Sequence, residues 1–374
     1  MGSFYGWSIL VAPLEQTLNA TRTEISSIYS IAFISMTIGC FVTYKLLSVL
    51  SLPQLLFGIF SIGAAGLTIS GTFETLWSKW IGYGVLFGFS IGVAYFVAMA
   101  AASLEMPIRR SIAISMTMAA FACGGLIWPP IFVSIINGVG VHTLIWLFAI
   151  YLFVVGLITA LLTHKALPPL STDTDKGETF FSNILTEQPN TFVLLWVGHL
   201  LIAFAALMAL GHAAGIAISF GVSKEQAYIG PMLTNSVYIC FALGSGIICD
   251  WITGRRVLIG IAALTSLALL ALYFIPSATM SLIALALVGG AFGASSATFP
   301  ITVSRYFGVN ALARVYGRLA SAYGLAGLLG PFAAGIFYDL NRSYNYSILI
   351  AALLAFLGVL TLSALPKHSI LNTD

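Results

Sequence analysis

Two histidines lie within one apolar segment of the chain, where few other side chains can ionise. His199 and His212 are thirteen residues apart in the run 191–220, which places them about 140° apart around a helix axis. They are therefore expected to face different neighbours. His212, in the stretch GHAAG, is predicted to take part in a binding site, because an imidazole within a membrane can supply positive charge or carry a coupling proton. The alternative is a structural hydrogen bond to a backbone carbonyl.

A polar face is predicted on the run 227–250. Asn235, Tyr238 and Ala242 follow one another at i, i+3 and i+7, which keeps them within about 60° of one another on a helix. Asn235 and Tyr238 are predicted to line an internal cavity, and a helix–helix hydrogen bond from Asn235 is the alternative. Three further hydroxyl donors lie near the middle of apolar runs, where they are predicted to bind substrate, with interior packing as the alternative: Tyr5, Tyr95 and Tyr323.

No pattern in the sequence is typical of an enzyme. It contains no His-Glu-x-x-His motif, no phosphate-binding loop and no nucleophile with a base at a credible spacing. The four cysteines lack metal-type spacing. The sequence therefore predicts a protein that is not an enzyme and that carries no metal or cofactor.

The composition indicates that these residues belong to an integral membrane protein. Only 7% of the 374 residues are charged and 59% are hydrophobic, whereas about a quarter of residues are charged in soluble domains. A bilayer core of about 30 Å needs roughly 20 apolar residues per helix. Besides a short run at 3–18, eleven runs meet this requirement, near 24–46, 53–72, 77–103, 111–136, 142–163, 191–220, 227–250, 257–276, 280–304, 315–338 and 345–365.

The cations are distributed unevenly between the two sides of the predicted bundle. One side holds Lys45, Arg109, Arg110, Lys165, Lys176, Arg255, Arg256, Arg305, Arg314, Arg318 and Lys367, against Arg22, Lys79, Lys224 and Arg342 on the other. Eleven against four predicts that the first side, with both termini, is cytoplasmic in an inner or plasma membrane. The net charge of +3 is too small to indicate a nucleic acid as partner. Glu15, near the outer end of the first helix, is predicted to serve in a gate or cap.

The chain divides near its middle. Residues 164–190 are rich in Pro, Ser, Thr and acidic residues and are predicted to be a cytoplasmic linker between bundles of six helices at 1–163 and 191–374. The two halves overlay at an offset of about 202 residues, with AAFACGGLIWPP at 119–130 falling on SAYGLAGLLGPF at 321–332. This repeat is typical of secondary transporters. The same overlay makes the first helix shorter than its counterpart, as if about 15 residues were missing before it.

The loop after helix 8 carries a recognisable motif. Gly246, Asp250, Gly254, Arg255 and Arg256 match the loop signature of the major facilitator superfamily, although one residue is inserted before Gly254. The chain therefore resembles that superfamily, which implies an all-α fold of twelve transmembrane helices in two pseudo-symmetric bundles. We expect these five residues to form a gating latch. The glycine at 246 would admit a neighbouring helix, the aspartate would accept from helix N-terminal N–H groups, and the arginines would pair with carboxylates or lipid phosphate.

A narrower resemblance lies in the last quarter of the chain. FPITVSRYFGVNALARVYGRLASAYGLAGLLGPFAAGIFYDLNRSYNYSIL at 299–349 is similar to the oxalate/formate antiporter and monocarboxylate transporter branch. The resemblance implies a secondary carrier, a monomer with a small organic acid as substrate, driven by exchange or by protons. Two features depart from that branch: Ala242 occupies the position of its substrate-binding arginine, and helix 11 has no lysine. Transport of a neutral or zwitterionic metabolite, or a membrane sensor that does not transport, are the alternatives.

Overall fold

The computed structural model describes residues 2–105, 110–163, 188–308 and 312–367, and every regular element in these ranges is helical. A 3-10 turn at Gly2–Gly6 precedes the first helix. The helices are α1 Trp7–Leu18, α2 Arg22–Val49, α3 Leu52–Thr72, α4 in three consecutive parts (Leu76–Lys79, Trp80–Phe87 and Gly88–Glu105), α5 Arg110–Val139, α6 Val141–Thr163, α7 in two parts (Pro189–Leu210 and Ala213–Ser219), α8 Ile229–Trp251, α9 Gly254–Phe274, α10 Ala278–Phe307, α11 Leu312–Asn341 and α12 Asn345–Ser363.

Eleven helical segments in the described ranges are long and apolar enough to cross a membrane. They correspond to α2 through α12, so the prediction of eleven spanning runs is confirmed. The shorter α1, of 12 residues, packs among them and contributes Trp7, Leu10 and Leu14 to the buried core. Because backbone polar groups in lipid must be satisfied within each segment, spanning by helices alone is the expected solution.

Local sequence fixes where α2 begins. Thr21 and Glu24 form a capping box, in which the Thr21 hydroxyl accepts from the Glu24 N–H and the Glu24 carboxylate accepts from the Thr21 N–H at 2.8 Å. Asn19 closes α1 in the left-handed region, with φ of 47°. The connection between α1 and α2 is therefore short and defined, and it places Arg22 in the first turn of α2.

Helix α4 contains a π-helical stretch at Trp80–Phe87. Directly before it, Lys79 is buried and its ammonium donates to the carbonyls of Ser70 and Phe73 at the end of α3. A π-helical turn holds one residue more than an α-helical turn, so this stretch is wider than the helix around it. Two glycines within it, at 82 and 84, let α3 and α2 approach closely.

Successive helices alternate in direction, so the ends at Thr163 and Pro189 lie on one side of the bundle. We call this the linker side, and the side of the α1–α2 connection the opposite side. The N-terminal half (residues 2–163) meets the C-terminal half (residues 188–367) mainly where α2 packs on α11 and α5 on α8.

The packing of α2 on α11 changes along its length. At Gly335, near the opposite side, a Cβ would lie 2.9 Å from the Thr23 Cα, and at Gly324 it would lie 2.9 Å from the Thr37 hydroxyl. Gly317 is on the same face of α11, two turns nearer the linker side. There, no described atom lies within 4 Å of a Cβ. Along this pair of helices, the close contacts between described residues therefore run from the opposite side to the middle, and none is described at Gly317.

Candidate functional site

The four tyrosines that were predicted to bind substrate lie near one another at the middle of the helix bundle. The rings of Tyr5 and Tyr238 lie 6.0 Å apart between their centroids. Tyr95 of α4 joins them through Phe121 of α5, whose ring is 5.2 Å from the rings of both Tyr5 and Tyr95. These contacts bring together side chains from both halves of the chain.

Tyr323 completes this group from α11. Its ring lies 6.0 Å from that of Phe292, which is 5.9 Å from Tyr238. The Tyr238 hydroxyl donates to Ser296 of α10 at 3.3 Å. We call Tyr5, Tyr95, Tyr238 and Tyr323 the tyrosine cluster. Tyr5, Tyr95 and Tyr323 are partly exposed residues, whereas Tyr238 is buried.

Asn235 serves the interface between α5 and α8. Its side chain is 2% exposed, and its Nδ2 donates to the Pro231 carbonyl at 2.7 Å and lies 3.5 Å from the Gly125 carbonyl. A Cβ at Gly125 would lie 2.5 Å from the Asn235 side chain. In this structure Asn235 thus makes the helix–helix contact that was the alternative to cavity lining.

The two histidines lie in different environments, as their angular separation indicated. His199 stacks on Phe299, with ring centroids 4.1 Å apart, and its ring is 6.2 Å from that of Tyr323. His199 is therefore the histidine beside the tyrosine cluster. The structure does not bring His212 to the cluster; it lies between the two parts of α7 and faces the opposite side.

A charged network joins the halves on the opposite side. The Arg22 guanidinium donates from Nε and Nη2 to both carboxylate oxygens of Glu15, and from Nη1 to the Tyr344 hydroxyl. It also lies over the Tyr338 ring, 4.2 Å from the centroid. Arg22 is 8% exposed, and a bidentate arginine–carboxylate pair in such a place holds a fixed geometry. The structure thus places Glu15 in an ion pair with Arg22 at the α1–α2 connection, and its role in a gate or cap stays a prediction.

Asp339 of α11 adds a second connection between the halves. Its carboxylate accepts from the backbone N–H groups of Arg22 and Thr23, at 3.1 and 2.7 Å, and from the Thr23 hydroxyl. An acid from the C-terminal half therefore caps the N-terminus of a helix in the N-terminal half, where the helix dipole favours negative charge.

His212 belongs to this network. Its Nδ1 is 3.1 Å from the Tyr344 hydroxyl, and its Nε2 is 3.0 Å from the Pro331 carbonyl and 3.2 Å from the Ser26 hydroxyl. Burial raises the pKa of Tyr344, so the phenol keeps its proton. These contacts are all hydrogen bonds if Arg22 donates to the Tyr344 hydroxyl, the Tyr344 hydroxyl donates to His212 Nδ1, and the protonated His212 Nε2 donates to the Pro331 carbonyl. We call Glu15, Arg22, His212, Asp339 and Tyr344 the charged latch.

A cavity of about 520 Å³ borders the charged latch. Its walls come from both halves of the chain, chiefly from α1, α5, the second part of α7 and the α11–α12 region. The polar side chains that line it are Ser8, Glu15, Gln16, Arg22, Asn137, His212, Ser219, Lys224, Tyr338 and Tyr344. The latch therefore borders a cavity whose lining carries charged and hydrogen-bonding side chains from both halves.

The loop after α8 differs in two respects from the expected gating latch. No described atom lies within 4 Å of a Cβ at Gly246, so the close approach predicted there is absent from the described part of the structure. The tight position is Gly254, where a Cβ would lie 2.2 Å from the Thr302 hydroxyl of α10. The side chain of Asp250 lies outside the described residues.

The two arginines of this loop point to different surroundings. Arg255 donates to the Ser363 carbonyl at 2.5 Å, at the C-terminal end of α12, where a cation is favourable. The partner described for it is thus a helix terminus. Arg256 is exposed and lines a lateral groove.

Sequence reasoning missed Arg22, Asp339 and Tyr344 as members of one network. Two signals pointed toward them. Arg22 is one of only four cations assigned to its side, and Asp339 and Tyr344 lie in the Tyr-Asp and SYNY stretches of the family resemblance. In the described part of the chain, no three His, Cys, Asp or Glu side chains are placed to hold a metal ion.

Comparison with known proteins identifies the family. The model of the Major Facilitator Superfamily matches residues 1–331 and 195–372. The chain belongs to the major facilitator superfamily. Membership of this superfamily makes the chain a multi-pass membrane transporter. The family assignment agrees with the predicted all-α, polytopic fold.

Two bacterial relatives match over most of their length. The chain is 24% identical over 342 residues to an uncharacterized MFS-type transporter, YhjX, of Escherichia coli (strain K12), covering 88% of this chain and 82% of that protein. It is 24% identical over 368 residues to the oxalate:formate antiporter of Oxalobacter formigenes, covering 96% and 86%. Monocarboxylate transporter 9 of Pongo abelii is 31% identical, but over only 40% of this chain and 30% of its own.

Solved structures support the fold. The nucleoside transporter NupG superposes with a TM-score of 0.76 at 14% identity, covering 98% of this chain and 96% of that chain. A bacterial homologue of the lysosomal transporter Spinster gives 0.71 at 13% identity, covering 97% and 94%. At these identities the likeness shows the major facilitator fold alone.

Proposed function

We propose that this chain is a secondary active transporter that moves a small organic acid by alternating access. One observation carries the proposal: the charged latch joins the two halves on the opposite side, whereas no described atom lies within 4 Å of a Cβ at Gly317 of α11 on the linker side. The tyrosine cluster lies between these levels. Alternating access requires a state of this kind, in which a central site is closed to one side and reached from the other.

The chemistry of the tyrosine cluster suits a small acid with few charges. An anion in a medium of low dielectric needs a fixed cation or several hydrogen-bond donors. Four phenols, three of them partly exposed, supply such donors without a permanent charge. The oxalate:formate antiporter and the monocarboxylate transporters among the relatives support the same substrate class. Exchange or proton coupling would drive the transport, with His199 beside the cluster as the nearest imidazole.

A neutral or zwitterionic metabolite is the second candidate. It is favoured by Ala242, a buried residue on α8 one turn beyond Tyr238, at the position where the resemblance implies an arginine. A neutral solute would be held by the phenols alone.

The orientation and organisation follow the distribution of cations. We propose that the linker side is cytoplasmic in an inner or plasma membrane, that residues 1–163 and 191–374 form two six-helix bundles, and that the transporter is a monomer.

Uptake of labelled oxalate, formate and lactate into proteoliposomes, with and without a pH gradient, tests the substrate class. We expect uptake of at least one acid, and a several-fold higher KM for Tyr238→Phe and Tyr323→Phe. Tyr151→Phe is the matched control, because Tyr151 is 44% exposed on the outer face of α6. If none of the acids is taken up or competes for binding, while a neutral metabolite binds, the second candidate replaces the first.

A further inference from the structure

A lateral groove separates α8 from α9 on the linker side. These two helices are consecutive in the chain and both pack on α10, but they have few contacts with each other. The groove between them has a volume of about 570 Å³, and Ala291 and Ala294 of α10 form its floor. It lies at the outside of the bundle, away from the tyrosine cluster and the charged latch.

The lining of this groove is apolar along its length. Residues from Cys240 to Ile252 line it on α8 and residues from Arg256 to Leu264 line it on α9. Twelve residues of helix extend about 18 Å, close to one leaflet of a hydrocarbon core of about 30 Å. The apolar part thus has the length and depth of an acyl chain in the linker-side leaflet.

Two glycines keep the groove open. At Gly244 on α8 and Gly260 on α9, no described atom lies within 4 Å of a Cβ position. Neither glycine is needed for contact between described residues. The absence of a side chain at each glycine leaves space along α8 and α9 in which an extended acyl chain can lie.

One cationic side chain and one helix N-terminus lie at the linker-side end of the groove. Arg256 is exposed there, and no carboxylate pairs with it within the described part of the chain. It lies in the first turn of α9, a helix of 21 residues whose N-cap, Thr253, makes no side-chain capping bond. Free N–H groups at a helix N-terminus favour a phosphate, and Arg is well suited to bind one. Trp251, 84% exposed, lies beside them at the C-terminal end of α8, and Trp is enriched at the ends of membrane-spanning helices.

We propose that this groove binds one anionic phospholipid, with an acyl chain between α8 and α9 and its phosphate at Arg256 and the first turn of α9. The groove is apolar, it is about as long as one leaflet is thick, and it has a positive charge at one end. These features favour a lipid over a free phosphate, because a free phosphate would leave the apolar part of the groove unfilled. Basic pockets between helices on the cytoplasmic side bind anionic headgroups in this manner.

Native mass spectrometry of the purified full-length protein tests this site. The protein is equilibrated in detergent with equal amounts of phosphatidylglycerol and phosphatidylcholine, and the lipids that remain bound are counted. We expect Arg256→Gln to lower the retention of phosphatidylglycerol about fivefold, since one basic group near a membrane surface contributes about 1 kcal/mol. Retention of phosphatidylcholine should change little.

Arg255→Gln is the matched control. It removes the same charge from the neighbouring residue, whose side chain is bonded to the Ser363 carbonyl and not directed to the groove. Gly244→Leu fills the groove and should lower the retention of both lipids. Equal loss of phosphatidylglycerol in Arg256→Gln and Arg255→Gln would reduce the effect to net charge and overturn the site, as would undiminished retention in Gly244→Leu. Melting temperatures in lipid-free detergent verify that the variants are folded.

Discussion

Asp339 of α11 accepts two hydrogen bonds from Thr23 at the start of α2, one from the backbone N–H at 2.7 Å and one from the hydroxyl at 2.5 Å. These residues are 316 positions apart and belong to different halves of the chain. Since the carboxylate accepts from the first two N–H groups of a helix that it is not part of, separating the halves on the opposite side removes this acceptor and leaves α2 with only its own Thr21–Glu24 capping box. The cap therefore contributes to the stability of one transport state in particular.

Asp339→Asn should favour opening on the opposite side. The amide keeps one acceptor oxygen but loses the charge, and the loss of a charge-assisted hydrogen bond shifts the two states by about tenfold. Ser30→Cys, on α2 and 2% exposed, is a suitable reporter in a background without native cysteines. Its rate of labelling by a maleimide should rise about tenfold. Glu24→Gln is the control, because it removes a carboxylate from the same helix end without crossing between the halves; equal rates in the two variants would contradict the prediction.

Arg22→Lys should destabilise the protein although it keeps the charge. One ammonium group cannot reproduce a bidentate bond to Glu15 and a bond to Tyr344. Arg22→Gln, which leaves the Glu15 carboxylate without a cation, should cost more than Arg22→Lys. Removing one partner of a buried ion pair costs about 3–5 kcal/mol, and the partial exposure of Glu15 lowers this to about 2–3 kcal/mol. Unfolding in denaturant should show that Glu15→Gln together with Arg22→Gln is less destabilising than Arg22→Gln alone. A strictly additive double variant would show that the pair is not coupled.

Gly335→Ala and Gly317→Ala should differ sharply, although both lie on one face of α11. At Gly335 the new methyl group would lie 2.9 Å from the Thr23 Cα and the Ser26 hydroxyl, so α2 must move away. Overpacking of this kind costs about 1–3 kcal/mol. At Gly317 no described atom is within 4 Å, and the gain in helix propensity should raise the melting temperature slightly. Melting curves of the two variants would refute this view if they shifted alike.

The two histidines should act on different steps. His212→Ala removes the group that joins Tyr344 to the Pro331 carbonyl and should speed labelling of the Ser30→Cys reporter several-fold. His199→Ala opens a space beside Phe299 and Tyr323, so it should alter the KM for substrate while labelling stays unchanged. The assignment fails if His199→Ala speeds labelling as much as His212→Ala does.

Hydropathy located the helices well because each apolar run must cross the same thickness of lipid. The tyrosine cluster followed from hydroxyl groups near the middle of their runs. The placement of His212 in the charged latch, and not beside the tyrosine cluster, could not be predicted because helical spacing gives an angle around an axis and does not identify the helix on the other side. A close approach of a neighbouring helix was expected at Gly246 because the residue belongs to the loop motif. A motif identifies the residue, but the distance to the neighbouring helix depends on which state the halves adopt.

The connection of Arg22 with Asp339 and Tyr344 was beyond the sequence for a different reason. Its members are more than 300 residues apart, and no local spacing relates them. The amino-acid sequence shows that few cations lie on the opposite side, and this draws attention to Arg22 but does not identify its partners. Only the packing of α2 on α11 brings these side chains together.

The extra residue in the π-helical stretch Trp80–Phe87 sets the angular offset between the two ends of α4. Each residue of an α-helix advances the chain by about 100°. Deleting one position from this stretch would let it wind as a regular α-helix, and everything before it would turn by that angle relative to Tyr95. Lys79 could then no longer reach the carbonyls at the end of α3 while Tyr95 kept its place beside Phe121. The π-helical stretch thus allows α4 to place Lys79 at the end of α3 and Tyr95 beside Phe121 at the same time, which a regular α-helix of the same length could not do.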